Sequence, residues 1–248
     1  MSQLPVDRPV SSSGRHLEAV VVCDRYSDFL EVTLPHTLRN VNYLVVVTAN
    51  DDKDTKKLCD KFDIVCVDGW HFKRQDFDKA KAINHGLAHL RCSDYLLHLD
   101  SDILLPDVFA DWFTTSNTLK QENIYGLDRF DCQSQKALNK VLAKGWAHSR
   151  RDWRFMIQPP HELKFCTRVG HGDYEGWVPI GYFQLWHGSQ RTRYPVKPGA
   201  SAERTDLLFA ANWPPENRIL IPDFFAIHLS TDGKMGANWR GRKTPKWS

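Results

Sequence analysis

Residues 95–106 read YLLHLDSDILLP, an apolar run that ends in two carboxylates and stops at a proline. A short apolar run between breakers is typical of a buried strand. In open α/β sheets, ligands bind at the carboxyl ends of such strands, which predicts that Asp100 and Asp102 lie at a crevice. Alternate side chains of an extended chain share a face, so the two carboxylates are predicted to hold one divalent cation, Mg²⁺ or Mn²⁺. The alternative is that Asp-Ser-Asp is turn chemistry.

The composition is that of an ordinary globular protein. The chain has 248 residues, 42% hydrophobic and 25% charged, which fits one α/β domain. Apolar runs are too short for a membrane span, and residues 1–15 lack the apolar centre of a signal peptide. We therefore expect a cytoplasmic protein. The six cysteines have no C-x-x-C spacing, which indicates neither a zinc site nor a disulfide framework.

Basic residues cluster late in the chain, although the net charge is only +3. Residues 149–154, 191–193 and 239–247 hold these clusters, and two of the three also contain tryptophan. Basic residues interleaved with aromatics are expected for a phosphate-rich partner. A solvated basic surface is the alternative.

Strands and helices alternate along the first half. Hydrophobic runs predict strands at 17–23, 43–48 and 64–67, with a helix at 27–38 after the first and a second helix running toward Phe62 after the polar turn 49–55. This alternation predicts a doubly wound sheet with right-handed crossovers.

A further helix is predicted over residues 76–90, where Ala80, Ile83 and Leu87 recur at helical spacing. Lys79 and Lys81 lie in its first turns. Cations there oppose the helix dipole, which favours binding of an external anion. The alternative is that both are solvated surface lysines.

The second half has a weaker pattern. We predict strands at 122–129, 181–187 and 219–229, a helix at 133–142 and another opening at Ser201. The long polar span 147–176 is predicted to be an active-site lid or acceptor loop.

Four motifs in this order resemble the GT-A class of nucleotide-sugar glycosyltransferases, most closely its small family-2-like members. They are VVVCDR (20–25), VVTANDDKDT (46–55), FDKAKAINHGL (77–87) and YLLHLDSDILLP (95–106). The resemblance implies an α/β, Rossmann-like GT-A fold with a mostly parallel central sheet flanked by helices and a C-terminal acceptor-side elaboration. Residues 1–248 would form one domain, with a nucleotide-sugar-binding half at 15–106 and an acceptor-binding, metal-completing half at 107–248.

The resemblance also implies which residues bind a nucleoside-diphosphate sugar. Base and ribose contacts fall on Cys23, Asp24, Arg25 and Asp51. In the family, the helix that precedes the D-x-D motif begins with a pattern like F-N-K-G. This chain reads F-D-K-A there, so Lys79 matches while the polar residue before it differs.

The D-x-D motif matches fully, and by this resemblance Asp102 binds the metal while Asp100 serves the metal or the ribose. A late histidine often supplies a third ligand in the family, in an H-L-G setting; here His228 stands in H-L-S. A packed histidine is the alternative. Arg240 and Arg242 would close over the diphosphate.

In inverting members, an acid at a helix start deprotonates the acceptor. Asp206 is the candidate for that base and Glu203 its rival; a helix acid favoured by the dipole is the alternative. The implied activity is a hexosyl- or pentosyltransferase that inverts if one of these acids is the base; the alternative is a retaining enzyme, which requires no base at this place.

The acceptor is a hydroxyl group, and the basic clusters are compatible with a hydroxymethylated base in phage-type DNA. Glycans and small molecules remain alternatives. A nucleotidyltransferase would need a Gly-rich loop after the first strand, which residues 23–27 lack. A non-catalytic nucleotide-sugar-binding protein is the other alternative. The sequence does not indicate an oligomeric state.

Overall fold

The structure is a computed structural model. It describes residues 14–69, 72–73, 76–91, 94–148, 163–166, 177–196, 202–230, 242 and 245–247. The strands in these ranges are β1 (Leu17–Val22), β2 (Tyr43–Ala49), β3 (Val65–Gly69), β4 (Phe72–Lys73), β5 (Asp76–Phe77), β6 (Tyr95–Asp100), β7 (Ile103–Leu104), β8 (Ile124–Cys132), β9 (Leu163–Cys166), β10 (Phe183–His187) and β11 (Arg218–Leu229). The α-helices are α1 (Ser27–Asn40), α2 (Lys53–Lys61), α3 (Lys79–Leu87), α4 (Val108–Thr115), α5 (Gln135–Ala143) and α6 (Thr205–Ala210).

One large sheet organises the described residues. Its strand order is β3-β2-β1-β6-β10-β8-β11-β7, and β9 pairs with β8. Strands β1, β2, β3, β6, β8 and β11 run in one direction, while β7, β9 and β10 run in the other. The expectation of a mostly parallel α/β sheet flanked by helices is confirmed. Strands β4 and β5 form a separate hairpin.

The first half forms as its hydrophobic runs predict. Strand β1 is buried along its whole length, as expected for a parallel strand covered on both faces. Helix α3 packs very close to it: a Cβ at Gly86 would lie 2.5 Å from Val20 Cγ1 and 2.7 Å from Val47 Cγ2. A side chain there would force the helix away from the sheet.

Helix α3 begins later in the chain than predicted. Asp76 and Phe77 form β5, and the helix begins at Lys79. The side chain of Asp78 accepts a hydrogen bond from Lys81 N at 3.0 Å, which satisfies a free N–H at the helix start. The Asp78 carboxylate also pairs with Lys81 Nζ at 2.8 Å, so Lys81 has a local anionic partner.

The chain is not extended through the D-x-D motif. This corrects the expectation that Asp100 and Asp102 share a face because they are alternate residues of one strand. Strand β6 ends at Asp100, and Ser101 and Asp102 form a turn before β7. Strand β7 then pairs with β11, and Leu229 N donates to the carbonyl of Asp102 at 2.8 Å. The turn is thus fixed to β11, next to His228.

Several predictions fall outside the described residues: the basic cluster 149–154, most of the predicted lid 147–176, and Ser201. Within the described ranges, no helix has the length and apolarity needed to cross a membrane.

Candidate active site

The polar residues at the carboxyl ends of β1, β6, β8 and β11 are the candidate site. His228 on β11 lies opposite Asp131 on the parallel strand β8. His228 Nδ1 is 2.7 Å from Asp131 Oδ1, and its Nε2 is 3.3 Å from Asp102 Oδ2. The structure therefore places the imidazole between two carboxylates.

The charges of this group depend on one another. Burial and the nearby Arg129 charge would lower the pKa of His228, but pairing with Asp102 and Asp131 outweighs them and raises it. Burial would raise the pKa of Asp102, but the His228 charge and hydrogen bond lower it. The two groups thus favour each other's charged forms, the carboxylate of Asp102 and the imidazolium of His228.

Asp102 and His228 fit a divalent cation. Among the described residues, Asp102 Oδ1 is buried and has no hydrogen-bond partner, and a buried carboxylate oxygen in that state is costly unless something binds it. Metal-bound histidines usually donate their second ring N–H to a carboxylate, as Asp131 is placed to accept. A carboxylate with an imidazole suits a transition metal such as Mn²⁺.

The predicted three-residue ligand set of Asp100, Asp102 and His228 is not assembled in advance. In the described ranges, no three His, Cys, Asp or Glu side chains gather in a metal-binding group. The reason lies in Lys79, whose Nζ is 2.6 Å from Asp100 Oδ1.

Lys79 thus pairs with Asp100 at the site. Burial raises the pKa of Asp100, with the Asp102 charge adding to it, although Lys79 acts in the opposite direction. Beneath the pair, His98 Nε2 lies 3.6 Å from Asp100 Oδ1, and burial followed by the Lys79 charge holds the pKa of His98 well below its usual range. Lys79 is therefore the cation next to the Asp100 carboxylate.

The loop after β1 and the turn after β2 form a second polar group, which we call the donor tip (Asp24, Arg25 and Asp51). Arg25 bonds Asp24 Oδ1 at 2.6 Å and both oxygens of Asp51 at 2.9 and 2.8 Å. Cys23 is completely buried, and its Sγ lies 3.4 Å from Thr55 Oγ1. The Cys23 side chain therefore lies in the core beneath the donor tip, and a nucleotide contact by this residue stays a prediction.

Asp24 is ionised at a cost to stability. Burial raises its pKa to about 6, against the Arg25 charge, which lowers it. Folding thus favours protonated Asp24, and the cost of ionisation is complete above pH 6 and vanishes below pH 4. We expect Asp24→Asn to raise the free energy of unfolding at pH 7 by about 2 kcal/mol.

Denaturant unfolding from pH 4 to 8 measures this effect. The gain should shrink as the pH falls from 6 to 4. Asp54→Asn, at an exposed position, should lack that pH-dependent gain. Equal curves for the wild type and Asp24→Asn would contradict the expectation.

Asp206 lies in the first turn of α6, after a short 3₁₀ segment at Ala202–Arg204. Its Oδ2 accepts from Gly181 N at 2.7 Å and its Oδ1 from Leu207 N at 2.9 Å. Its charge is close enough to contribute to the raised pKa of Asp100. The Asp206 carboxylate is thus fixed by two backbone N–H groups near Asp100.

Two predicted residues lie outside this description: the side chain of Glu203 and the whole of Arg240. Arg242 is described, and its contacts in the structure differ from the diphosphate contact that was predicted for it. Its guanidinium is bound by both oxygens of Asp28, and it stacks on the rings of Tyr26 and Phe29. That charge is already neutralised.

The sequence analysis missed Asp131, because the predicted strand ended at Arg129, three residues early. Strand β8 runs on to Cys132, with Arg129 Nε 3.2 Å from Asp131 Oδ1. An acid at the carboxyl end of a strand was the signal that identified Asp100, and it applies equally to Asp131.

We expect Asp131→Asn to weaken Mn²⁺ binding by about 10–100-fold, since partners of metal-bound histidines typically have effects of that size. Electron paramagnetic resonance of free Mn²⁺ during a titration measures the affinity. Asp223→Asn, at an exposed position on β11, is the matched control and should bind normally. Wild-type affinity in Asp131→Asn would contradict this role.

The sequence matches no protein-family model and no curated protein. Solved structures are similar in fold. The mannosyltransferase PcManGT from Pyrobaculum calidifontis, solved with GDP-Man and Mn²⁺, aligns with a TM-score of 0.51 at 14% identity, over 94% of this chain and 62% of that chain. Glucosyl-3-phosphoglycerate synthase from Mycobacterium tuberculosis, solved with Mn²⁺ and UDP-Glc, aligns with a TM-score of 0.51 at 14% identity, over 93% and 77%.

A third similar structure is TarS 1-349 from S. aureus with UDP-GlcNAc, at a TM-score of 0.55 and 8% identity, over 88% of this chain and 60% of that chain. This chain spans less than two thirds of the mannosyltransferase and TarS chains. At these identities the similarity concerns the fold. The chain therefore has the fold of the GT-A-type glycosyltransferases.

Proposed function

We propose that the protein is a metal-dependent glycosyltransferase that moves a sugar from a nucleoside-diphosphate sugar to a hydroxyl acceptor. The observation that carries the proposal is the Asp102–His228 pair, with its unpartnered buried carboxylate oxygen, at the sheet edge next to Lys79. Functional sites of open α/β sheets form at this edge. The similar folds that were solved with Mn²⁺ and nucleotide sugars support the same function.

We propose that the two halves of the chain supply different parts of the site. Residues 15–106 hold the donor, with Asp24, Arg25 and Asp51 at the nucleoside and Lys79 at the diphosphate. Residues 107–248 complete the metal site through His228 and supply the acceptor side through Asp206. Asp102 and His228 would hold the cation, which when bound stabilises negative charge on the departing diphosphate.

The reaction breaks the bond between the sugar C1 and the diphosphate oxygen and forms a bond between C1 and the acceptor oxygen. Lys79 stabilises charge developing on the leaving group, an electrostatic contribution that is often the largest in catalysis. Asp206 takes the acceptor proton as general base, which corresponds to inversion at C1.

A panel of nucleotide sugars, each assayed for hydrolysis with and without Mn²⁺, tests the proposal. Slow hydrolysis needs no acceptor, so one donor should be consumed in a Mn²⁺-dependent reaction that releases a nucleoside diphosphate. Substituting Mg²⁺ compares the two cations. Binding without turnover would identify a nucleotide-sugar-binding protein. Formation or consumption of pyrophosphate would identify a nucleotidyltransferase.

For the acceptor, we propose a hydroxyl group and compare DNA that carries hydroxymethylated bases with glycans and small molecules. The basic clusters of the sequence are compatible with DNA, and in the described part Arg191 and Arg193 are exposed. DNA binding that weakens steeply with salt, together with sugar transfer, would identify DNA as acceptor. Absence of both would favour the other classes.

A further inference from the structure

The C-terminal residues return to the start of α1. Arg242 Nη2 donates to Asp28 Oδ2 at 2.8 Å, and Trp247 N donates to the same oxygen at 2.5 Å. The Trp247 ring packs on Phe29 with centroids 5.6 Å apart, and its Nε1 donates to Gln135 Oε1 at 2.8 Å. We call Arg242 and Trp247 the C-terminal clasp.

The clasp reaches beyond Asp28 to the main chain of the donor tip. Arg242 Nη1 donates to the carbonyl oxygen of Arg25 at 2.8 Å. On the other side of the same residue, Arg25 N donates to Asp52 Oδ2 at 2.7 Å. The two peptide groups that flank the Arg25 Cα are therefore each held by a charged side chain.

Arg25 needs such support because its backbone is left-handed, with φ at 60°. A residue with a side chain adopts this conformation only at a cost, and it persists where the surroundings determine it. The same conformation directs the Arg25 guanidinium to Asp24 and Asp51. Fixing the main chain of Arg25 thus fixes the arrangement of the whole donor tip.

Asp28 holds the clasp in place. Burial would raise the pKa of Asp28, but the hydrogen bonds from Arg242 and Trp247 and the Arg242 charge lower it. The carboxylate stays charged, and the planar guanidinium fork can bond both its oxygens while still reaching Arg25. A lysine, with one nitrogen, cannot reproduce that fork.

We propose that Arg242 is a positioning residue for donor binding, which holds the Arg25 main chain so that the donor tip is arranged before the nucleotide arrives. The inference rests on the proposed function, since it assumes that the donor tip binds the nucleoside. Arg242 acts through Arg25 and not on the diphosphate. Its loss therefore weakens nucleotide binding and leaves the chemical step intact.

The test is calorimetric titration of the full chain with UDP and with GDP in the presence of Mn²⁺. Arg242→Ala should raise the nucleotide Kd about tenfold, which corresponds to about 1.4 kcal/mol and to the loss of a charged hydrogen bond. In donor hydrolysis, KM should rise by a similar factor while kcat changes less than twofold. Arg242→Lys, which keeps the charge beside Asp28, should fold and give an intermediate Kd.

Gln135→Ala is the matched control, because it removes the Trp247 hydrogen bond at the far end of the clasp and leaves Arg25 untouched. It should lower Tm without changing Kd. Equal increases in Kd for Arg242→Ala and Gln135→Ala would overturn the inference, as would wild-type Kd in Arg242→Ala. If Arg242→Ala does not fold, wild-type Kd in Arg242→Lys would overturn it. If the wild-type chain binds neither UDP nor GDP, the titration is made with ADP, CDP and dTDP, and a chain that binds none of the five would overturn the donor site proposed for this protein.

Discussion

Asp102→Asn should reduce Mn²⁺-dependent hydrolysis of the donor by about a thousandfold, which is the size of effect found when a main electrostatic stabiliser of a transition state is removed. The substitution removes the charge that His228 pairs with and replaces one oxygen with an amide nitrogen. That nitrogen cannot bind a cation. The buried Oδ1, which lacks a hydrogen-bond partner among the described residues, then belongs to a neutral amide and no longer to a carboxylate.

Two measurements check this result: the initial rate of nucleoside diphosphate release and the Mn²⁺ affinity by electron paramagnetic resonance. Both should fall together, since the same residue serves both. Asp111→Asn, an exposed position on α4, should leave both unchanged. Hydrolysis and affinity within tenfold of the wild type in Asp102→Asn would rule out Asp102 as the metal ligand.

Asp206→Asn should lower the rate of donor hydrolysis by about 10²–10⁴-fold, the range for loss of a general base. Hydrolysis reports on this base because water takes the place of the acceptor hydroxyl in that reaction. Nucleotide binding should be unchanged, since Asp206 takes no part in holding the donor. The single asparagine oxygen can still accept the hydrogen bond from Gly181 N, while the bond from Leu207 N to the second oxygen is lost, so we expect the variant to fold with somewhat lower stability.

Glu203→Gln is the matched comparison, because Glu203 is the rival base. Steady-state rates and calorimetric nucleotide affinities of both variants decide between them. A large loss in Glu203→Gln alone would transfer the role to Glu203. Small losses in both would contradict a base at this helix and favour a retaining reaction.

Much of the first half of the fold could be predicted from local patterns. Valine-rich runs bounded by polar turns predict β1 and β2 closely, because buried parallel strands need continuous apolar segments. The end of β8 is harder to predict, since Asp128, Arg129 and Asp131 interrupt the apolar pattern although all three are buried. Charged residues are buried there through mutual pairing, which no local pattern encodes.

The candidate site, like the fold, could be predicted from the sequence only in part. Asp102 and His228 were predicted from strand ends and from family resemblance, and the structure brings them together through the pairing of β7 with β11. The role of Arg242 could not be predicted, because its partner Asp28 lies at the opposite end of the chain. A basic residue near an aromatic has the same sequence signature whether it binds a phosphate or a buried carboxylate.

The main-chain hydrogen bond between Leu229 and Asp102 has a consequence for how the protein can be altered. It ties Asp102 to the residue that follows His228, and Asp102 and His228 are the two residues proposed to hold the cation. Backbone atoms make this bond, so neighbouring side chains can be exchanged without separating the two positions. The loops after β1 and β2 have no share in that bond. Libraries randomised in those loops should therefore yield variants with new nucleotide preferences that keep their metal requirement.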